Sequence, residues 1–225
     1  MLNDKNKKYR NLRKQQSIEN GYYQTFKKCD QTRQTYAEWL GQRSPKYVVT
    51  LVGSRFIPQS VSRELLNWFC YKVNEMILKR SFVGKGGSRE LEIFVCRENA
   101  ETQLKNKGKQ WLNADHYHLW FNDAENLINY DHFSFKDIVF HAVRFANNQY
   151  RKSLIGKESI YKPHEFLLGG NIDIQKYYKQ NGYNYEWYTM KVFEDFRLSL
   201  ADMIDHIGVY DGSLRLVSFG NLKFD

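Results

Sequence analysis

Two histidines one residue apart, His116 and His118, are the part of this 225-residue sequence best suited to chemistry. They lie in His116-Tyr117-His118-Leu119-Trp120-Phe121, an aromatic and apolar run that reads as a β-strand. A side-chain period of two puts His116, His118 and Trp120 on one face and Tyr117, Leu119 and Phe121 on the other. Two neutral imidazoles roughly 6 to 7 Å apart on one face can converge on a divalent ion if a neighbouring strand adds a third ligand. A carboxylate suits that role, because its charge and hard oxygens fit Mg²⁺ or Mn²⁺ as well as Zn²⁺. Glu98, just beyond a strand expected at Glu90–Cys96, is the first candidate, with Asp115 and Glu92 as competitors. Taken alone, a His-x-His pair on a buried face is more often a hydrogen-bonded part of a core.

A second constellation is Tyr188-Thr189-Met190-Lys191, which sets a phenol and an ammonium at i and i+3 of a helix expected from about Tyr183 to Ile204. A phenol whose ordinary pKa is about 10 attacks poorly at neutral pH. Beside a metal-polarised phosphodiester and a cation, its phenolate becomes a competent nucleophile. The phosphotyrosine ester so formed conserves the energy of the broken bond, and a second hydroxyl can later reseal the strand. Tyr177, Tyr178, Tyr183 and Tyr185 crowd the same tract, so an ordinary amphipathic-helix tyrosine is the competing reading. The remaining histidines, His132, His141, His164 and His206, read first as structural.

The elements that must position these groups follow from the hydrophobic pattern. Lys46–Val52 is β-branched and apolar, a buried strand. A helix follows Pro58 and Ser60, with Leu65, Leu66, Phe69, Val73 and Ile77 on one face. Gly84, Gly86 and Gly87 mark a loop before the second strand. Ser134 as N-cap and Asp137 at N3 open a further helix, whose inner stripe is Ile138, His141, Ala142 and Phe145. Asn171–Gln175 is a fourth strand, and Ser213–Phe219 closes the chain as an edge strand. The order implies an α+β fold, an antiparallel sheet with helices packed against it. Glycine-rich phosphate loops of the GxGxxG or GxxxxGK[ST] kind are absent, which argues against a nucleotide-driven motor.

Composition bounds the rest. A hydrophobic share of 42% with 16% aromatics excludes a wholly disordered chain. No apolar run approaches the roughly 20 residues that span a bilayer, and the Lys-rich start lacks a signal-peptide core, so a soluble cytoplasmic protein is expected. Cys29, Cys70 and Cys96 have no paired spacing and read as reduced thiols. The net charge of +9 favours a polyanionic partner. Most of it comes from the first 46 residues, with 11 Lys or Arg against 4 Asp or Glu. Residues 1–45 are therefore expected to form a basic N-terminal arm with short helices, flexible over its first twenty residues, and residues 46–225 the main domain. Lys5, Lys7, Lys8, Arg10, Arg13 and Lys14 would meet phosphates, and Trp111 and Trp120 would stack on unpaired bases. No basic amphipathic helix stands out, so a membrane surface is not expected as a partner.

Taken in chain order, Val48-Val49-Thr50-Leu51-Val52, His116-Tyr117-His118 and Tyr188-x-x-Lys191 resemble the three motifs of the HUH endonucleases, and more narrowly those of rolling-circle replication initiators of small plasmids and filamentous phages. The resemblance spans Lys46 to Leu200. It implies a central antiparallel sheet bearing the histidines, with His116, His118 and Glu98 as ligands of Mg²⁺ or Mn²⁺. Tyr188 would be the nucleophile that becomes linked to the 5′ phosphate, Lys191 its helper, and Tyr185 a possible second active tyrosine. Tyr117 departs from the aliphatic residue commoner between the histidines. The implied partners are single-stranded or hairpin DNA at a replication origin and, since no helicase is attached, a host helicase and polymerase. A transposase or a relaxase would share the chemistry. A non-catalytic single-stranded nucleic-acid-binding module is the alternative from a different class, and a metallo-nuclease using water, which would survive Tyr188→Phe, is a third.

Overall fold

The run Tyr47-Val48-Val49-Thr50-Leu51-Val52 has apolar or β-branched side chains facing both ways, the pattern of a strand covered on both faces. In the computed structural model it is β1 (Tyr47–Val52), one strand in from the edge of a six-stranded antiparallel sheet. The structure describes residues 4–21, 23–43, 45–53, 59–79, 91–98, 116–122, 124–154, 167–178, 184–194, 203, 207–210 and 216–218. The other strands are β2 (Ile93–Glu98), β3 (His116–Phe121), β4 (Asn171–Lys176), β5 (Ile207–Tyr210) and β6 (Leu216–Ser218). The helices are α1 (Asp4–Glu19), α2 (Tyr23–Gln42), α3 (Gln59–Leu78), α4 (Ala124–Leu127), α5 (His132–Ser153) and α6 (Asn184–Thr189), with a 3-10 turn over Lys191–Glu194. The strand order is β4-β1-β3-β2-β5-β6, so β3 is inserted between β1 and β2 and pairs with both.

Alternation along each strand divides the interior into two layers. Tyr47, Val49, Leu51, Ile93, Val95, Tyr117, Leu119 and Phe121 face α3 and α5. The α3 residues Leu65, Leu66, Phe69, Val73 and Ile77 meet Phe135, Ile138, Val139, Ala142 and Val143 of α5 there. On the opposite face, Val48, Phe94, Cys96 and Trp120 are covered by Cys29, Tyr36 and Leu40 of α2 and by Met190, Val192, Phe193 and Met203. All three cysteines are buried free thiols, and burial pushes Cys29, Cys70 and Cys96 upward.

Several local expectations are corrected. Residues 4–19 are helical: α1 folds back on α2 across Gly21 (φ +75), and a two-pronged bond from Arg10 Nε to the Asp30 carboxylate, at 3.0 and 2.9 Å, joins the two helices. α2 forms part of the core, since its aromatics bury against the sheet. Asp131, and not Ser134, caps α5: its carboxylate accepts the Ser134 N–H at 2.7 Å, which holds its pKa below the ordinary carboxylate range. Ile138 and Ala142 of the expected inner stripe are buried, joined by Phe135, Val139, Val143 and Ala146, whereas His141 is exposed. The expected helix at Tyr183–Ile204 is interrupted after Thr189 by a 3-10 turn over Lys191–Glu194, where Met190, Val192 and Phe193 are all buried, and Met203 is again helical. Phe196 and Leu200 lie outside the described residues.

Before β4 the chain is anchored by the buried amide of Asn147. Its oxygen accepts from Leu167 N and Leu168 N at 2.9 and 3.1 Å, and its nitrogen donates to Leu168 O at 2.9 Å. Gly169 follows with φ +81, and a Cβ there would stand 2.6 Å from Val143 Cγ1. Gly169→Ala therefore combines a left-handed backbone with a steric clash, for an expected loss of about 2 to 4 kcal/mol. Urea denaturation measures it, and an unchanged midpoint would mean that this turn shifts freely. Among the described residues no helix is long and apolar enough to cross a membrane.

Candidate metal and nucleophile site

Because β3 lies between two antiparallel partners, each histidine has a neighbour on both sides. His118 pairs with Thr50 of β1 and Cys96 of β2, and His116 with Val52 and Glu98. The strand β2 runs two residues further than its apolar pattern suggests, which makes Glu98 its last residue, directly opposite His116. His118 is 4% exposed and Glu98 8%. Thr50 Oγ1 lies 3.2 Å from His118 Nδ1, and Glu98 Oε2 lies 3.5 Å from His118 Nε2. That Nε2 is buried and makes no hydrogen bond.

A buried ring nitrogen without a partner is costly unless something else occupies its lone pair or its proton. With an acidic oxygen beside it and a second imidazole two residues along the same strand, His118 fits a divalent cation, and Glu98 and His116 are the groups nearest to complete the set. Among the described residues no three His, Cys, Asp or Glu side chains already stand together as a metal-holding group. Glu92 does not belong to the site: it precedes β2 at the other end from Glu98, where it accepts from Asn122 Nδ2 at 2.8 Å. Asp115 lies outside the described residues.

The helix α6 brings its tyrosines over this row of groups. Four of its residues are tied inward. Tyr177 donates its hydroxyl to Glu186, and the Trp187 carbonyl accepts from Arg33 Nε and Nη2 at 2.9 and 2.6 Å. The Arg33 guanidinium lies over the Trp187 ring, and the Thr189 carbonyl accepts from Cys96 Sγ at 3.1 Å. Tyr185 packs on Trp120 with ring centroids 5.5 Å apart. Tyr188, between these anchors, is 42% exposed, and its ring stands edge-on to His118 at 6.1 Å. The ring of Tyr185 stands parallel to it at 6.2 Å. Tyr185 differs in chemistry: burial and the nearby Asp173 carboxylate push its phenol above the ordinary range, and its hydroxyl is bonded to Thr50.

His116, His118, Glu98, Tyr185 and Tyr188 thus share one region. The backbone of Lys191 lies in the 3-10 turn beyond the end of α6, so the i, i+3 relation on one continuous helix does not hold; its side chain is outside the described residues. Trp120 is a correction. It is fully buried between Tyr177 and Tyr185 and has no face to offer a base. Trp111 is outside the described residues. On α1, Lys5, Lys7, Lys8 and Lys14 are exposed, Arg10 is committed to Asp30, and Arg13 lies over the Tyr9 ring. Sequence reasoning overlooked the hydroxyl of Thr50; its only signal was a polar residue at mid-strand in an otherwise apolar run. Comparison of the chain with models of protein families, with curated proteins and with solved structures finds no match in any of the three.

Proposed function

We propose that the protein is a metal-dependent DNA-nicking enzyme of the HUH kind that starts replication by cutting one strand at an origin and holding its end on Tyr188. The observation that supports this reading is the pairing of an exposed tyrosine with a buried histidine whose Nε2 lacks a hydrogen bond and faces a carboxylate. His116, His118 and Glu98 would hold Mg²⁺ or Mn²⁺, which supplies Lewis-acid polarisation of the scissile phosphodiester. The Tyr188 oxygen attacks phosphorus, the bond to the 3′ oxygen breaks, and that oxygen leaves as a hydroxyl with a proton. The 5′ end remains as a phosphotyrosine ester, and attack by another 3′ hydroxyl reverses the step and rejoins strands. Lys191 would offset charge at the phosphate.

The substrate would be single-stranded DNA or an extruded hairpin, as the resemblance to the HUH endonucleases implies. The exposed lysines of α1 supply the positive surface for its backbone. A host helicase and polymerase would act on the nicked origin. Incubation with single-stranded DNA from the gene's own neighbourhood, with Mn²⁺ or with EDTA, tests the proposal on a denaturing gel. A protein–DNA adduct that requires Mn²⁺ is expected. Tight binding with neither cleavage nor adduct, across metals and with the cognate origin included, would leave a non-catalytic single-stranded DNA-binding module in its place.

A further inference from the structure

Thr50 is the one polar side chain of β1 on the face shared by the histidines, and its hydroxyl is bonded on both sides. It lies 3.2 Å from His118 Nδ1, and it is also bonded to the Tyr185 phenol, which packs over Trp120. A hydroxyl has a single proton to give and two lone pairs to accept with, so Thr50 either donates to Nδ1 or accepts from it. In one, Thr50 donates to Nδ1 and the proton of the neutral ring sits on Nε2. That N–H would then face Glu98 at 3.5 Å with a carboxylate ready to accept, yet no hydrogen bond forms there. In the other, Nδ1–H donates to Thr50, whose bond to Tyr185 is satisfied in either direction, and Nε2 keeps its lone pair directed toward the side of Glu98. Only the second leaves a nitrogen that can bind a cation.

We infer that Thr50 is a positioning residue for His118: its hydroxyl, backed by Tyr185, holds the ring proton on Nδ1 and presents Nε2 as a ligand for the divalent cation. A ligating histidine gains affinity and orientation from the partner of its other nitrogen, and removal of such a partner typically weakens metal binding by about 10- to 100-fold. The inference rests on the nicking proposal for its purpose but not for its test. It also separates the two tyrosines of α6, since Tyr185 acts through Thr50 while Tyr188 stands beside His118.

The test uses the full chain and Mn²⁺ alone. Nitrogen-15 shifts of His118, assigned with His118→Gln, are read above the ordinary imidazole titration range. They should report a proton on Nδ1 in the metal-free wild type and in Thr50→Ser. Thr50→Val, nearly isosteric and a good strand former, should admit the Nε2–H form and weaken Mn²⁺ binding by about 10-fold or more, with Thr50→Ser restoring most of it. An Nε2–H imidazole in the wild type, or a Thr50→Val protein that binds Mn²⁺ as the wild type does, overturns the inference even where DNA adducts form. The expected tautomer and Thr50-dependent Mn²⁺ binding without any adduct would uphold the positioning role and sink the nicking proposal.

Discussion

Under the proposed nicking function, Tyr188→Phe should abolish the covalent protein–DNA adduct, while Tyr185→Phe should keep it at a rate reduced by about 10-fold. The two rings are three residues apart on α6 and stack in parallel, so sequence position alone does not separate them. Their surroundings do. Tyr188 is open to solvent, edge-on to His118, and held outward by inward ties at Glu186, Trp187 and Thr189. Tyr185 is wedged against Trp120, its hydroxyl is bonded to Thr50, and burial together with Asp173 disfavours its phenolate. A nucleophile must shed its proton at modest cost, and Tyr185 stands in the worse place to do so. Its loss acts through the orientation of His118, hence the smaller effect. Denaturing gels of both variants with Mn²⁺ and single-stranded origin DNA decide it: an adduct surviving in Tyr188→Phe would move the nucleophile, to Tyr185 first.

The largest expected stability effect belongs to Trp120→Ala, at about 3 to 5 kcal/mol. The indole is fully buried near the end of β3, paired with Val48 and Phe94 and lying under Tyr177 and Tyr185. Removing it opens a cavity beneath α6 as well as losing the transfer energy of the ring. A small domain has only about 5 to 15 kcal/mol in total, so the variant should unfold at much lower denaturant. Trp120→Phe should cost well under half as much, because the buried indole N–H makes no hydrogen bond and its loss removes a penalty along with the contacts. Guanidinium denaturation of both variants checks this, and equal losses would mean that the indole N–H matters more than the ring.

The strands that carry the site were legible because their signal is a period of two or an unbroken apolar run. Tyr47–Val52 and His116–Phe121 fall where their residue types place them, and the shared face of His116 and His118 follows from parity alone. What parity does not carry is the length of a strand past its apolar part, and so Glu98 is expected two residues beyond the strand that it in fact ends. Trp120 shows the same gap from another side: the period assigns its face, but only the packing of α2 and α6 over that face makes it core. The N-terminal helices were obscured by their charge. α1 is polar on nearly every side, and its fixed position comes from Arg10 reaching Asp30, twenty residues away, which no local pattern reveals. The break after Thr189 likewise depends on contacts with Cys96 and Arg33, far off in the chain.

The insertion of β3 between β1 and β2 also sets when the site can exist. The Thr50 to His118 contact closes 68 residues of chain, Cys96 to Thr189 closes 93, and Arg33 to Trp187 closes 154. Loops of that length form late and slowly compared with the helical turn between α1 and α2. As the polypeptide emerges from the ribosome, the helical hairpin can form early, but the histidine strand finds both neighbours only after β1, α3 and β2 are out. The tyrosines arrive some 70 residues later still. A nascent or partly folded copy therefore carries the basic helices without the assembled site, and the residues proposed to act on a DNA strand come together only in the finished fold.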